Sequence, residues 1–167
     1  MRELCNTPAK MAEFRRRYEI PDEINLVLAT VDDAEQATWD TIHIPIIDIV
    51  EGGIRFPLHP LLRETLAFYR LSPMQVSPNV IRIIMGVAEL NRLLGTNLVL
   101  WDLQHCCSMC RAPSGTYYFK YRKLGMRLLT DLPDSARGED VNFLKVSGPY
   151  EDDQCYAHCP HAYGCPR

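Results

Sequence analysis

Two groups of cysteine and histidine are the residues of this chain best suited by type to metal chemistry. Near the end, Cys155, Cys159, His161 and Cys165, with His158 between them, follow the spacing C-x3-C-x-H-x3-C. That is enough thiolate and imidazole for one tetrahedral zinc ion, although the spacing departs from the C-x2-C-x4-H-x4-C knuckle. The expectation is a disordered tail over residues 151–167 with no metal and no cofactor; zinc is the one ion its side chains would suit. The second group is His105-Cys106-Cys107-Ser108-Met109-Cys110. In a helix, Cys106 and Cys110 would lie one turn apart, with His105 displaced from them, which supplies half a site at most. The plainer expectation is that these small, soft side chains pack beneath a sheet.

Contacts to nucleic acid would need cations interleaved with aromatic rings. Tyr117-Tyr118-Phe119-Lys120-Tyr121-Arg122-Lys123 offers both. Strand alternation puts Tyr117, Phe119 and Tyr121 on one face and Tyr118, Lys120 and Arg122 on the other, a mixture that could stack bases and neutralise phosphates. The competing expectation is an aromatic core face and a solvated basic face. A second basic run, Arg15-Arg16-Arg17 with Lys10 upstream, ends the first helix, where cations complement the negative end of the helix dipole. The candidate nucleic-acid contacts are therefore Arg15, Arg16, Arg17, Tyr118, Lys120, Arg122 and Lys123.

Catalytic patterns are missing from the sequence. It has no Gly-rich phosphate loop, no G-x-S-x-G elbow and no H-E-x-x-H helix. Nothing local brings Cys106 to His59 as a nucleophile pair. Asp32, Asp33 and Asp48 sit in or beside an expected loop, whereas metal-assisted chemistry needs rigidly held carboxylates. A chain that is not an enzyme is the expectation.

The elements that would position these residues are easier to read. Thr7-Pro8 opens a short helix with Met11, Phe14 and Tyr18 on one face. Ile24–Thr30 reads as a strand, Asp32–Thr41 as a polar loop prone to disorder, and Ile46–Val50 as a short helix stopped by Gly52-Gly53. From Gly52 to Gly95 two apolar helices follow. One starts near Pro60, with Leu61, Leu62, Thr65, Leu66, Phe68 and Tyr69 inward and Arg63, Glu64 and Arg70 outward. The other starts at Ser77-Pro78 and stops at Gly95, with Arg82, Glu89 and Arg92 as its charged stripe. Ser72-Pro73 and Ser77-Pro78 make the connection short and stiff. A further helix is expected from Leu98 to about Met109. Thr116–Arg122, Arg127–Asp131 and Val141–Val146 then read as three strands of one small antiparallel sheet, joined first by a turn near Leu124-Gly125 and then by the polar connection Pro133–Asp140.

The order predicts an α+β fold, a helical core with a central helical hairpin and a small C-terminal antiparallel sheet, in a single domain over residues 1–150. Length and composition agree. The 167 residues are 47% hydrophobic with a net charge of −3, which suits one packed domain and argues against a polyanion-coating protein. Charge is uneven. Tyr18–Ile54 contains nine acids and, before Arg55, no Lys or Arg; Leu103–Thr130 contains Arg111, Lys120, Arg122, Lys123 and Arg127 and no acid. Two solvated faces are the expectation. No stretch is apolar enough to span a bilayer and the N-terminus lacks a signal core, so an intracellular location without membrane contact is expected. The seven cysteines are accordingly expected as thiols or metal ligands and not as bridges.

These residues also carry a resemblance. FRRRYEIPDEINL, then GGIRFPLHPLLRETLAFYRLSPMQVSPNVIRIIMGVAELNRLLGTN, then GTYYFKYRK resemble the gypsy-type transposon domain family of plants. The resemblance runs from Phe14 to Tyr150, with Tyr18–Pro21, Gly53–Leu62, Leu71–Asn79 and Tyr117–Phe119 its most specific pieces. It implies a transposon-derived lineage, here in a truncated member, and carries over no catalytic residue. Two functions follow as expectations. One is a non-catalytic structural or interaction module that self-associates; the other is an accessory protein that binds nucleic acid through the basic-aromatic strand.

Overall fold

The computed structural model describes residues 1–29, 40–123, 128–133 and 142–151. The element order is α1 (Pro8–Arg17), β1 (Asn25–Ala29), β2 (Thr41–Pro45), α2 (Ile46–Val50), α3 (Pro60–Tyr69), α4 (Pro78–Leu94), α5 (Leu100–Cys106), β3 (Cys107–Arg111), β4 (Tyr117–Tyr121) and β5 (Phe143–Ser147). This is an α+β arrangement of helices with small antiparallel sheets, as the sequence predicts. The pairing of the strands differs from expectation. β5 lies between β1 and β2, antiparallel to both, while β3 and β4 form a separate antiparallel pair. The C-terminal strands therefore belong to two sheets. Leu128, Leu129 and Asp131, expected within a strand, run irregularly; Tyr121 donates its hydroxyl to the Leu129 carbonyl at 3.2 Å, and Asn79 Nδ2 donates to the Pro133 carbonyl at 2.9 Å. The expected turn at Leu124-Gly125, the connection after Pro133 and most of the Asp32–Thr41 loop lie outside the described residues.

Alternation on β5 explains the layering. Leu144 and Val146 face the main core, beside Ile44 and Ile42 of β2 and Leu28 and Leu26 of β1. Phe143 and Lys145 point to the opposite face, where the His43 and Phe143 rings meet edge to face at 5.3 Å and both residues are buried. The core continues through α2 into α4, whose Val80, Ile81, Ile83, Ile84 and Val87 are almost wholly inaccessible. Gly52 allows that approach, because a Cβ there would lie 2.4 Å from the Asp48 carbonyl oxygen and 2.8 Å from Ile81 Cγ2.

α4 has the predicted limits. Pro78 occupies its first turn and Gly95 its left-handed stop, at φ 62°. Ser77 holds the N-cap position, yet its side chain makes no capping bond and its buried Oγ has no hydrogen-bond partner among the described residues; its backbone N–H donates to the Tyr117 carbonyl at 2.7 Å. Arg82 pairs with Glu51 and with Asn79, and Arg92 with Glu89 one turn earlier. The Asn91 carboxamide closes the following loop, donating to the Leu98 carbonyl at 2.7 Å and accepting from the Leu98 N–H at 2.8 Å.

α3 corrects the sequence reading at two positions. Arg63 is buried and Phe68 is 57% exposed, the reverse of the expected faces. Phe68 shares the outer stripe with Glu64, one turn away, while the buried arc is broad enough to take in Leu61, Leu62, Arg63, Thr65 and Leu66. Arg70 is exposed and ends the helix in the left-handed conformation, at φ 54°. His59 caps the other end, its Nδ1 accepting from the Leu61 N–H at 3.2 Å.

Only neutral imidazole can accept that bond. Burial first, and the charge of Arg63 second, hold the His59 pKa below its ordinary 6.5. Since the unfolded chain takes up this proton more readily, the contribution of the cap is complete above the ordinary value and is lost as pH falls through the lowered folded one. The expected result is a component of the pH 7 to 5 loss of stability, read from urea midpoints, that His59→Asn removes because its amide oxygen caps in either range.

Candidate interaction face

α5 is short, and its sequence sets what it buries. Leu100 and Leu103 turn inward, leaving Trp101 on the outer side at 68% exposure. Asp102 accepts from the Val99 N–H at 2.8 Å and closes the first turn. The helix stops at Cys106, not near Met109 as expected, because Cys107–Arg111 pair with Tyr117–Tyr121 as β3. The cysteine group is divided by that change of geometry, and Cys106 and Cys110 do not sit on successive turns of one helix. Cys107 is fully buried, and burial, with the neighbouring Cys106 as second cause, pushes its thiol to about 11; burial does the same for Cys5. Thiols so far from ionisation are inert packing groups.

Between the end of α3 and the outer side of α5 lies an open cleft of about 530 Å³, lined by Phe68, Tyr69, Trp101, Gln104, His105 and Arg122. A line of polar contacts ties its floor together. Gln104 Nε2 donates to Tyr69 Oη at 3.5 Å, and Arg122 Nε donates to the Gln104 carbonyl at 2.7 Å. The Phe68 and Tyr69 rings stand edge to face, 5.0 Å between centroids. His105 Nδ1 lies 2.8 Å from the Trp101 carbonyl oxygen, which can only accept, so Nδ1 carries the proton and neutral His105 keeps Nε2 as an acceptor.

Arg122 joins this cleft to β4. On that strand Tyr117, Phe119 and Tyr121 pack against the core, while Tyr118 and Lys120 are exposed, so the strand has the expected aromatic core face and basic outer face. Arg122 continues the outer alternation, and Lys123 is also exposed. The arginine run of α1 is placed differently. Arg15 Nη2 donates to the Pro21 carbonyl at 2.7 Å, Arg17 lies over the Tyr18 ring at 5.7 Å, and Arg16 is exposed. Among the described elements α1 packs most closely on the turn at Arg2–Leu4, whereas β4 packs on β3 and α4.

The remaining polar candidates have structural positions. Asp48 is fully buried on α2, and Asp32 and Asp33 lie outside the described residues, as do Cys155, Cys159, His161 and Cys165. Among the described residues no group of three or more His, Cys, Asp or Glu could hold a metal ion, and no helix is long and apolar enough to cross a membrane. Sequence reasoning missed Phe68, Trp101 and Gln104 as members of a site. One signal was present: in LWDLQH the inward pair Leu100 and Leu103 leaves Trp101 facing out.

Residues 44–111 match the family model described as "Putative gypsy type transposon". Two pieces of the resemblance seen in the sequence, Gly53–Leu62 and Leu71–Asn79, lie inside that stretch, while Tyr18–Pro21 and Tyr117–Phe119 lie outside it. No curated protein and no solved structure matches the chain.

Proposed function

We propose, with the gypsy-type transposon segment at residues 44–111 as premise, that this chain is a non-catalytic interaction module of a plant transposable element. Its binding surface in this reading is the cleft between α3 and α5 together with the outer side of β4. One observation supports it above the rest. Phe68 and Trp101, at 57% and 68% exposure, are gathered around a single cleft instead of being scattered over the surface. Large exposed rings with polar groups beside them are what binding surfaces retain and packing does not require. Among the described residues, His59 and Asp102 cap helices and Cys107 is sealed in the core, which also supports the reading.

Stability measurements test the reading. Phe68→Ser and Trp101→Ser are each expected to change unfolding free energy by no more than about 0.5 kcal/mol, the range for surface positions. A loss above about 2 kcal/mol in either variant would make these rings packing residues and sink the proposal. Light scattering then asks whether the occupant is a second copy of the chain. Mass that rises with concentration in the parent protein but not in Trp101→Ser would identify self-association.

A further inference from the structure

We infer that the Phe68–Trp101–Arg122 cleft takes unpaired bases of a single-stranded nucleic acid, with the phosphate backbone running along the outer side of β4. The inference rests on the reading of this face as a binding surface and commits it to one ligand class. Stacking needs accessible aromatic faces, and Phe68 and Trp101 are the most exposed aromatic side chains among the described residues. A base edge between them would meet the Gln104 carboxamide and the His105 Nε2 acceptor, which the contacts to Tyr69 and the Trp101 carbonyl hold in place. Among the described residues the Arg122 side chain donates through Nε to the Gln104 carbonyl, which leaves the terminal nitrogens of the guanidinium at the cleft rim for a phosphate.

Charge favours the same occupant and gives it a direction. Leu103–Thr130 contains five Arg and Lys and no acid, in a chain of net charge −3. Lys120 and Lys123 extend the cationic side away from Arg122. Glu64 stands one turn from Phe68 at the opposite end, and the Asp102 carboxylate is bound to the Val99 N–H. A strand laid with its phosphates toward β4 and its bases toward α3 and α5 satisfies that polarity. A duplex cannot, because its base faces are already stacked. An acidic peptide could meet the cations, but it would leave the two rings without planar partners.

Fluorescence anisotropy of labelled twelve-nucleotide dT and U strands, titrated with the full chain at low salt, tests this. Trp101→Ala and Phe68→Ala should each weaken binding by about five-fold or more, and Trp101→Tyr should stay close to the parent because any aromatic face can stack. Lys120→Gln with Lys123→Gln should lower the slope of log affinity against log salt by about 1.4. An A·T duplex of the same length should bind markedly more weakly. Absence of binding, equal binding of duplex and single strand, or Ala variants that bind like the parent would each overturn the inference. The failures can be told apart. If the Ser variants unfold, the binding face itself is wrong; if they stay folded and oligonucleotides do not bind, only the ligand class is wrong.

Discussion

Gly52→Ala is expected to cost at least about 3 kcal/mol of unfolding free energy, at or beyond the upper end of ordinary overpacking. The added Cβ would sit 2.4 Å from the Asp48 carbonyl oxygen and 2.9 Å from Asp48 Cα, both backbone atoms that cannot turn aside. The strain cannot be relieved locally, because the same carbonyl accepts from the Ile54 N–H at 3.1 Å and the Gly52 N–H donates to the Ile47 carbonyl at 3.1 Å. Shifting that turn would also push α2 away from Ile81 of α4. Gly95→Ala is the control. Nothing lies within 4 Å of its Cβ position, so only the left-handed φ of 62° opposes the methyl group, and a cost of about 1 kcal/mol is expected. Guanidinium melts of both variants decide the matter. A Gly52→Ala loss no larger than that of Gly95→Ala would show that α2 and α4 do not approach this closely.

Phe143→Ala should be comparably severe, at about 3–5 kcal/mol, which is roughly a fifth or more of the stability of a typical domain. Phe143 is wholly inaccessible at the start of the middle strand, with Ala29 on one side, Pro45 on the other and the His43 ring edge-on at 5.3 Å. Three strands would lose a common contact, and small neighbours such as Ala29 cannot fill the space. Lys145→Ala, on the same strand and partly exposed, should by contrast stay within about 0.5 kcal/mol. A Phe143→Ala protein that melts within about 1 kcal/mol of the parent would mean that this face of the sheet is loosely covered.

Local chemistry made much of the fold legible in the sequence. Proline at the first turn and glycine at the stop locate α4, the Thr7 cap locates α1, and Ile46–Val50 forms the short helix at the predicted limits. What could not be read depended on distant partners. Cys107–Arg111 looks helical in isolation and becomes a strand because Tyr117–Tyr121 lies alongside. Thr41 reads as the end of a polar loop, yet β5 recruits Thr41–Pro45 as a strand. Strands neighbouring in sequence read as one sheet, whereas pairing joins β1 and β2 to the distant β5. The same limit applied to the site. Tyr118, Lys120, Arg122 and Lys123 were visible as a basic run, but the rings that complete the face come from α3 and α5, and no local pattern connects Phe68 to Arg122.

The placement of β5 also governs when this protein can exist during its own synthesis. The middle strand of its sheet comes last among the five described strands, so a nascent chain that has reached residue 142 holds β1 and β2 without the strand that pairs with both. Until Phe143–Ser147 leaves the ribosome, Ile42 and Ile44 lack the strand that pairs with them, and such unpaired edges are where chains adhere to one another. The transposon-matched stretch, residues 44–111, carries β3 without β4 and only the last two residues of β2. Helices α2 to α5 lie within that stretch, whereas the strands that pair with β2 and β3 lie outside it.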